Sequence, residues 1–184
     1  AVEKIEEAVA ALGTAKFAAS TEALEEATAQ ALATRVSAIA DGVYRSAGWL
    51  ELGEKNVYPI PCKLTVAGSR MHFDFAGCPP QLPRFFNSKP YIVQSALASK
   101  LHMWIAADLP YSQALIDLME VSCPEGSLLN CKPPAPIGAA HMDATGAGIS
   151  AAMQCLILAL AASPDAPEHR LVSAAPSNGW AMMT

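Results

Sequence analysis

Along this chain, apolar residues recur every three to four positions in some stretches and every second position in others, and the changes of period mark its elements. Glu3–Leu12 has the helical pattern, and Gly13 ends it. Ser20 or Thr21 is placed to cap a second helix, with Glu22, Glu25 and Glu26 near its positive end. Leu24, Leu32, Val36 and Ile39 follow at spacings of eight, four and three and form one apolar face. Thr28 falls in the gap on that face and can turn its methyl inward. Asp41-Gly42 stops the helix.

A β region comes next. Val43–Leu50 reads as a strand. So does Val57–Val66, but its first half holds Pro59 and Pro61. Proline donates nothing to a ladder, so that half must be an edge or irregular. Leu64-Thr65-Val66, the turn Ala67-Gly68-Ser69 and Met71–Phe75 form a hairpin. Its second strand puts Met71, Phe73 and Phe75 on one face and His72 and Asp74 on the other.

Gly77–Pro90 is a loop rich in proline, and Tyr91–Asp108 is a helix with Val93, Leu97, Leu101 and Trp104 on one face. Gln113–Ser122 is ambiguous: alternation through Leu118–Val121 favours a strand, while Ala114–Met119 fits a helix. After a second loop with Pro124, Pro133, Pro134 and Pro136, Asp143 or Thr145 caps a helix running to about Ala162. Ser163–Pro167 is a turn and Leu171–Ala175 a last short strand. The fold class is α/β of the α+β type. A small mixed sheet with a hairpin is packed by three or more helices. The chain is one segment, 1–184, divided into a helical part (1–42), a β hairpin region (43–77) and a mixed α/β part (78–184).

Composition changes the picture in one respect. Hydrophobic residues make up 52% and charged residues 16%, against about 25% charged in an ordinary soluble domain. Surface is left over for burial against another subunit or domain, so the isolated 184 residues are expected to associate or precipitate. The net charge of −5, with scattered Lys and Arg, argues against nucleic-acid binding. Five cysteines without a C-x-x-C point to reduced thiols in the cytoplasm. The apolar run Ile149–Ala162, interrupted by Gln154, is too short to span a bilayer and reads as a buried helix, so no membrane partner is expected.

The candidate chemistry is sparse. His72-x-Asp74 and His141-x-Asp143 repeat one pattern, in which a carboxylate orients an imidazole or shares a metal with it. Two ligands do not make a site, because a transition metal takes three or four. His72 and Asp74 also fit the solvated face of a hairpin, and Asp143 also fits a helix cap. His141 lies before a helix N-terminus, where negative charge is stabilised. Glu125 and Gly126 shape a turn. Ser127 and Asn130 either bind substrate or bond their own backbone. No G-x-S-x-G and no phosphate-binding G-x-x-x-x-G-K-[ST] occurs. Cys131 is the best-placed thiol for nucleophilic work.

In chain order, Asp41-Gly-Val-Tyr44, Leu64–Gly77 ending in D-F-A-G, Asn87–Ala98, P-E-G-S-L-L-N at Pro124–Asn130, Pro133-Pro134 and the small-residue loop Ser173–Asn178 resemble the central part of the hydantoinase B/5-oxoprolinase family. These are the B-type subunits of ATP-dependent cyclic-amide hydrolases, related to acetone and acetophenone carboxylase subunits. The resemblance covers roughly residues 20–184. It implies a piece of a longer subunit in a hetero-oligomer with an A-type subunit and the remainder of its own B-type chain. It also implies ATP held by the partner, and a divalent metal in the complex bound outside this segment. The catalytic candidates, from the His-x-Asp pattern before a helix N-terminus, are His141 and Asp143, and the substrate-binding candidates are Asn87, Asn130, Thr145 and Asn178. The chain departs from the family pattern at Ala139–Thr145, where alanines replace glycines, and at Tyr111–Ala114. A carboxylase subunit and a non-catalytic structural subunit therefore stay open beside the hydrolase.

Overall fold

The computed structural model describes residues 2–53, 56–138 and 142–174. The elements run α1 (Val2–Leu12), α2 (Thr14–Ser37), β1 (Gly42–Glu51), β2 (Val57–Ala67), β3 (Arg70–Asp74), α3 (Pro90–Ile105), α4 (Gln113–Asp117), β4 (Met119–Ser122) and α5 (Asp143–Ala161), followed by a 3-10 helix at Pro167–Ala174. The sheet order is β1-β2-β3-β4. The first two pairings are antiparallel and β3 pairs parallel with β4. A parallel neighbour needs a long crossover, and α3 and α4 supply it. The architecture is thus the mixed sheet with packed helices that the periodicity implies.

The strands alternate as a half-buried sheet should. Ile60, Cys62, Leu64 and Val66 of β2, and Met71 and Phe73 of β3, are almost fully buried. Residues between them face the other side. The two prolines sit where their missing N–H costs nothing. Within β2 only Lys63–Ala67 pair with β3, so beyond Lys63 one edge of β2 is unpaired among the described residues. Pro59 and Pro61 stand opposite Trp49 and Ala47 of β1. Having no N–H to give, they occupy the positions of that ladder that exchange no hydrogen bonds.

Helix α5 is the centre of the core, with Ala144, Ala151, Ala152, Cys155, Leu156, Ala159 and Leu160 all fully buried. By length and composition it is apolar enough to cross a membrane, longer than the run Ile149–Ala162 suggests, yet 72% of its most apolar window is buried inside the protein. Its small residues allow close contact with the sheet: the carbonyl oxygen of Ala147 lies 1.9 Å from where a Cβ on Gly48 would be. α2 is tied on by Arg35, whose Nη1 donates to Ile105 O (2.7 Å) at the end of α3 and whose guanidinium forms a two-point pair with Asp108 (2.7 Å each). Glu25 Oε1 accepts from Ala114 N (2.5 Å) at the start of α4.

Several boundaries differ from the sequence expectation. α2 starts directly after Gly13, whose φ of +79° makes a one-residue break, so Ser20 and Thr21 lie inside the helix. Thr21 Oγ1 donates back to Phe17 O (3.0 Å) instead of capping. Leu24 is 54% exposed because the first half of α2 projects from the body, whereas Thr28, Leu32 and Val36 are buried. The ambiguous stretch is both things in turn: α4 and then β4. The N-cap of α5 falls on Met142, so Asp143 and Thr145 belong to its first turn and neither is the cap. Leu171–Ala174 is not a strand but part of the 3-10 helix, held to α5 by His169 Nδ1 and Leu160 O (2.8 Å); Ala175 lies outside the described residues.

Candidate functional site

Three segments far apart in sequence meet at the N-terminal end of α5: the loop before α3, the P-E-G-S-L-L-N loop, and the first turn of α5. The P-E-G-S-L-L-N loop folds on itself around Gly126, at φ +77°. Gly126 N donates to Asn130 O (2.8 Å), Asn130 N to Ser127 O (3.1 Å) and Asn130 Nδ2 to Cys123 O (3.0 Å). Asn130 therefore closes its own turn.

The turn docks on the preceding loop through backbone bonds. Leu128 N donates to Pro79 O (2.9 Å), Gln81 N to Gly126 O (2.8 Å), Ser88 N to Leu128 O (2.7 Å) and Cys131 N to Ser88 O (3.2 Å). Gln81 adds a two-point bond to the backbone of Lys132, and Lys89 Nζ donates to Cys131 O. Asn87 is fully buried. Its Oδ1 accepts from Leu82 N (2.8 Å), and its Nδ2 lies within 3.0 Å of the carbonyl oxygens of Leu82, Arg84 and Pro136. A buried amide with its donors and acceptor so engaged joins two loops.

The same layer reaches α5 through a hydrogen bond between side chains. Ser88 Oγ and Thr145 Oγ1 are 2.7 Å apart, and both residues are completely buried. Asp143 stands half-buried in the first turn, at the positive end of the helix dipole. Of the six sequence candidates, the structure brings Asn87, Asn130, Asp143 and Thr145 to one junction; His141 and Asn178 lie outside the described residues. Sequence reasoning missed Ser88, Gln81 and Lys89, which have no periodic or motif signal.

Ser127 Oγ is buried and has no hydrogen-bond partner among the described residues. It lies close enough to Cys78 to oppose, with the N–H groups of Leu129 and Leu128, the rise that burial imposes on that thiol. Cys123 and Cys62 are also held protonated. Burial pushes Cys123 up to about 12. The bond with Cys155, and then burial, push Cys62 upward. Cys155 Sγ donates to Cys62 O (3.4 Å). Cys131 is 1% exposed. A thiolate nucleophile needs the opposite environment.

A second polar group lies on the open face of the sheet. His72 Nε2 and Ser122 Oγ are 2.8 Å apart, fifty residues from each other in sequence. Asp74 pairs with Lys63 (2.8 Å) and accepts from Ala76 N (2.9 Å). The Lys63 bond holds its carboxyl below the usual range against partial burial. Among the described residues no three His, Cys, Asp or Glu side chains come together as a metal would require.

The fold has solved relatives. The ATP-dependent caprolactamase from Pseudomonas jessenii superimposes with a TM-score of 0.75 at 24% identity, over 86% of this chain and 28% of that one. An acetone carboxylase in its nucleotide-free form gives 0.73 at 18% identity, over 84% of this chain and 22% of that one. The chain thus spans under a third of the length of either. No curated protein sequence is significantly similar. The sequence pattern described as Hydantoinase B/oxoprolinase matches residues 1–183, and on that match the chain belongs to the hydantoinase B/oxoprolinase family.

Proposed function

We propose that this chain is part of the B-type subunit of an ATP-dependent cyclic-amide hydrolase, acting with an A-type subunit that uses the ATP. The observation that carries this is the family match over residues 1–183; a structural neighbour named as a caprolactamase acts on a cyclic amide and is ATP-dependent. The chemistry calls for activation because amide resonance resists attack by water. Phosphorylation of the amide oxygen, on the partner, removes that resonance. A divalent metal belongs to the complex but no ligand set for it lies among the described residues, so no step is assigned through one here.

Within such a subunit this segment is a positioning element. The side chains of Asn87, Ser88 and Asn130 bond to their own fold. The candidate acid–base residues are Asp143, in the first turn of α5, and His141; Thr145, Asn87, Asn130 and Asn178 are the candidates for holding the substrate. The five free thiols fit a reducing, cytoplasmic setting.

The test is ATP turnover by the protein purified with its A-type subunit, given hydantoins, 5-oxoproline or lactams with and without bicarbonate. Hydrolysis independent of bicarbonate is expected. Turnover that requires bicarbonate would overturn the hydrolase reading in favour of a carboxylase subunit. Unchanged turnover in the His141→Ala, Asp143→Ala double variant would remove the catalytic assignment and leave a structural subunit.

A further inference from the structure

Among the described residues, the outer edge of β1 is long, continuous and unpaired. Its ten residues pair one-to-one with β2 without a bulge. Because Pro59 and Pro61 fix the phase of that ladder, Val43, Arg45, Ala47, Trp49 and Glu51 turn their N–H and C=O groups away from β2. Among the described residues none of these groups has a backbone partner. Edge strands in soluble proteins are commonly blunted by proline, lysine, a bulge or short length. β4, the opposite edge, has only four residues. β1 has no proline or lysine, and Arg45 is its one cation.

The same five residues place their side chains on the open face of the sheet. Trp49 is 61% exposed and Val43 48%, and Val57 beside Glu51 on β2 is 51% exposed. On the covered face, α5 rises over β1, with Gln154 reaching Ser46 and Leu158 left 47% exposed. A free edge with an exposed tryptophan on one side and a helix flank on the other is the geometry in which an extended segment adds a strand.

We propose that β1 receives a fifth strand, contributed by the longer polypeptide of which this chain forms part, with apolar residues at alternate positions. This rests on the reading of the chain as part of a longer B-type subunit. Two observations favour that source over a second copy. The neighbours carry more than two thirds of their length outside the matched stretch. A second, separate surface is also bare: α1 has no buried residue, although Val2, Ile5, Val9 and Leu12 line one side of it. An eleven-residue helix of this kind is marginal without a partner. A copy paired at β1 would leave α1 uncovered, whereas several further domains' worth of chain can cover both.

The experiment is amide hydrogen exchange on the native polypeptide, its length first fixed by intact mass. A mass near 19.3 kDa would remove the B-subunit reading itself. For a longer chain, the amides of Arg45, Ala47 and Trp49 are expected to exchange at least about 100-fold more slowly than in an unstructured peptide, independently of dilution. Ala47→Pro, which deletes an outward N–H but no bond to β2, is expected to abolish that protection at Arg45 and Trp49. Exchange near the unstructured rate in the longer chain overturns the added strand while leaving the subunit reading intact. Protection lost on dilution would assign the edge to a second copy, and protection gained only with the A-type subunit would assign it to that partner; either overturns the proposal.

Discussion

Replacing Gly48 by alanine tests the closest approach in the fold. The new Cβ would lie 1.9 Å from Ala147 O and 2.8 Å from its carbonyl carbon, whereas real Cβ contacts essentially never fall below 3.0 Å. Strand and helix must therefore separate by about 1.1 Å, the difference between those two distances (3.0 − 1.9). Both obstructing atoms are backbone, so no side chain can rotate away. α5 cannot retreat freely either, since Thr145 is bonded to Ser88 and Cys155 to β2. Overpacking of this kind costs roughly 1–3 kcal/mol. The restricted unfolded state of alanine returns only about 0.4–1 kcal/mol. A net loss of about 1 kcal/mol corresponds to a fall in Tm of roughly 2–4 °C for a chain of this size. Gly148→Ala is the control, because its Cβ would meet only the ends of the Leu129 and Phe75 side chains, at 3.2 and 3.5 Å. Thermal unfolding followed by circular dichroism compares the two. A Gly48→Ala protein as stable as wild type, or more stable than Gly148→Ala, would refute the close α5–β1 packing.

Other substitutions read other parts of the structure. Thr145→Val strands the buried Ser88 hydroxyl and should cost about 1–3 kcal/mol in urea unfolding, part of it recovered when Ser88→Ala is added; additive losses would mean that the 2.7 Å contact is not an energetic link. Asn87→Ala removes a buried amide that joins Leu82, Arg84 and Pro136 and should destabilise by roughly 3 kcal/mol; a stable variant with a raised KM would instead make Asn87 a substrate ligand. The Asp108 carboxyl is held down to about 2 by Arg35, and that of Asp74 is lowered by Lys63. Both folded values lie below the unfolded one of 3.8. Their contribution is thus present above about pH 4 and lost as the pH falls towards 2. Asp108→Asn should flatten the acid limb of a stability–pH curve, and an unchanged limb would count against the Arg35–Asp108 pair.

The candidate site was legible only in part. The P-E-G-S-L-L-N string points to the family, and Gly126 to a turn, because both are local statements. That Asn87 faces Pro136, that Ser88 meets Thr145, and that His72 meets Ser122 depend on separations of 49, 57 and 50 residues. No pattern of neighbouring residues encodes such meetings.

The sequence by itself determined the hairpin and its two faces, the edge position of Pro59 and Pro61, the apolar stripe of α3 and the Thr28–Val36 part of that of α2, and the family. Each follows from periods of two to four residues or from a residue that cannot make a bond. Only the tertiary structure decided the rest. Gln113–Ser122 divides into helix and strand because β3 offers Met119–Ser122 a parallel partner. Leu171–Ala174 joins a 3-10 helix because α5 offers a carbonyl to His169 rather than a sheet edge to Leu171. Gly48 is a glycine because of Ala147, ninety-nine positions away (147 − 48). Where two backbones touch, the choice of residue is set by the partner surface, and that surface exists only once the chain has folded.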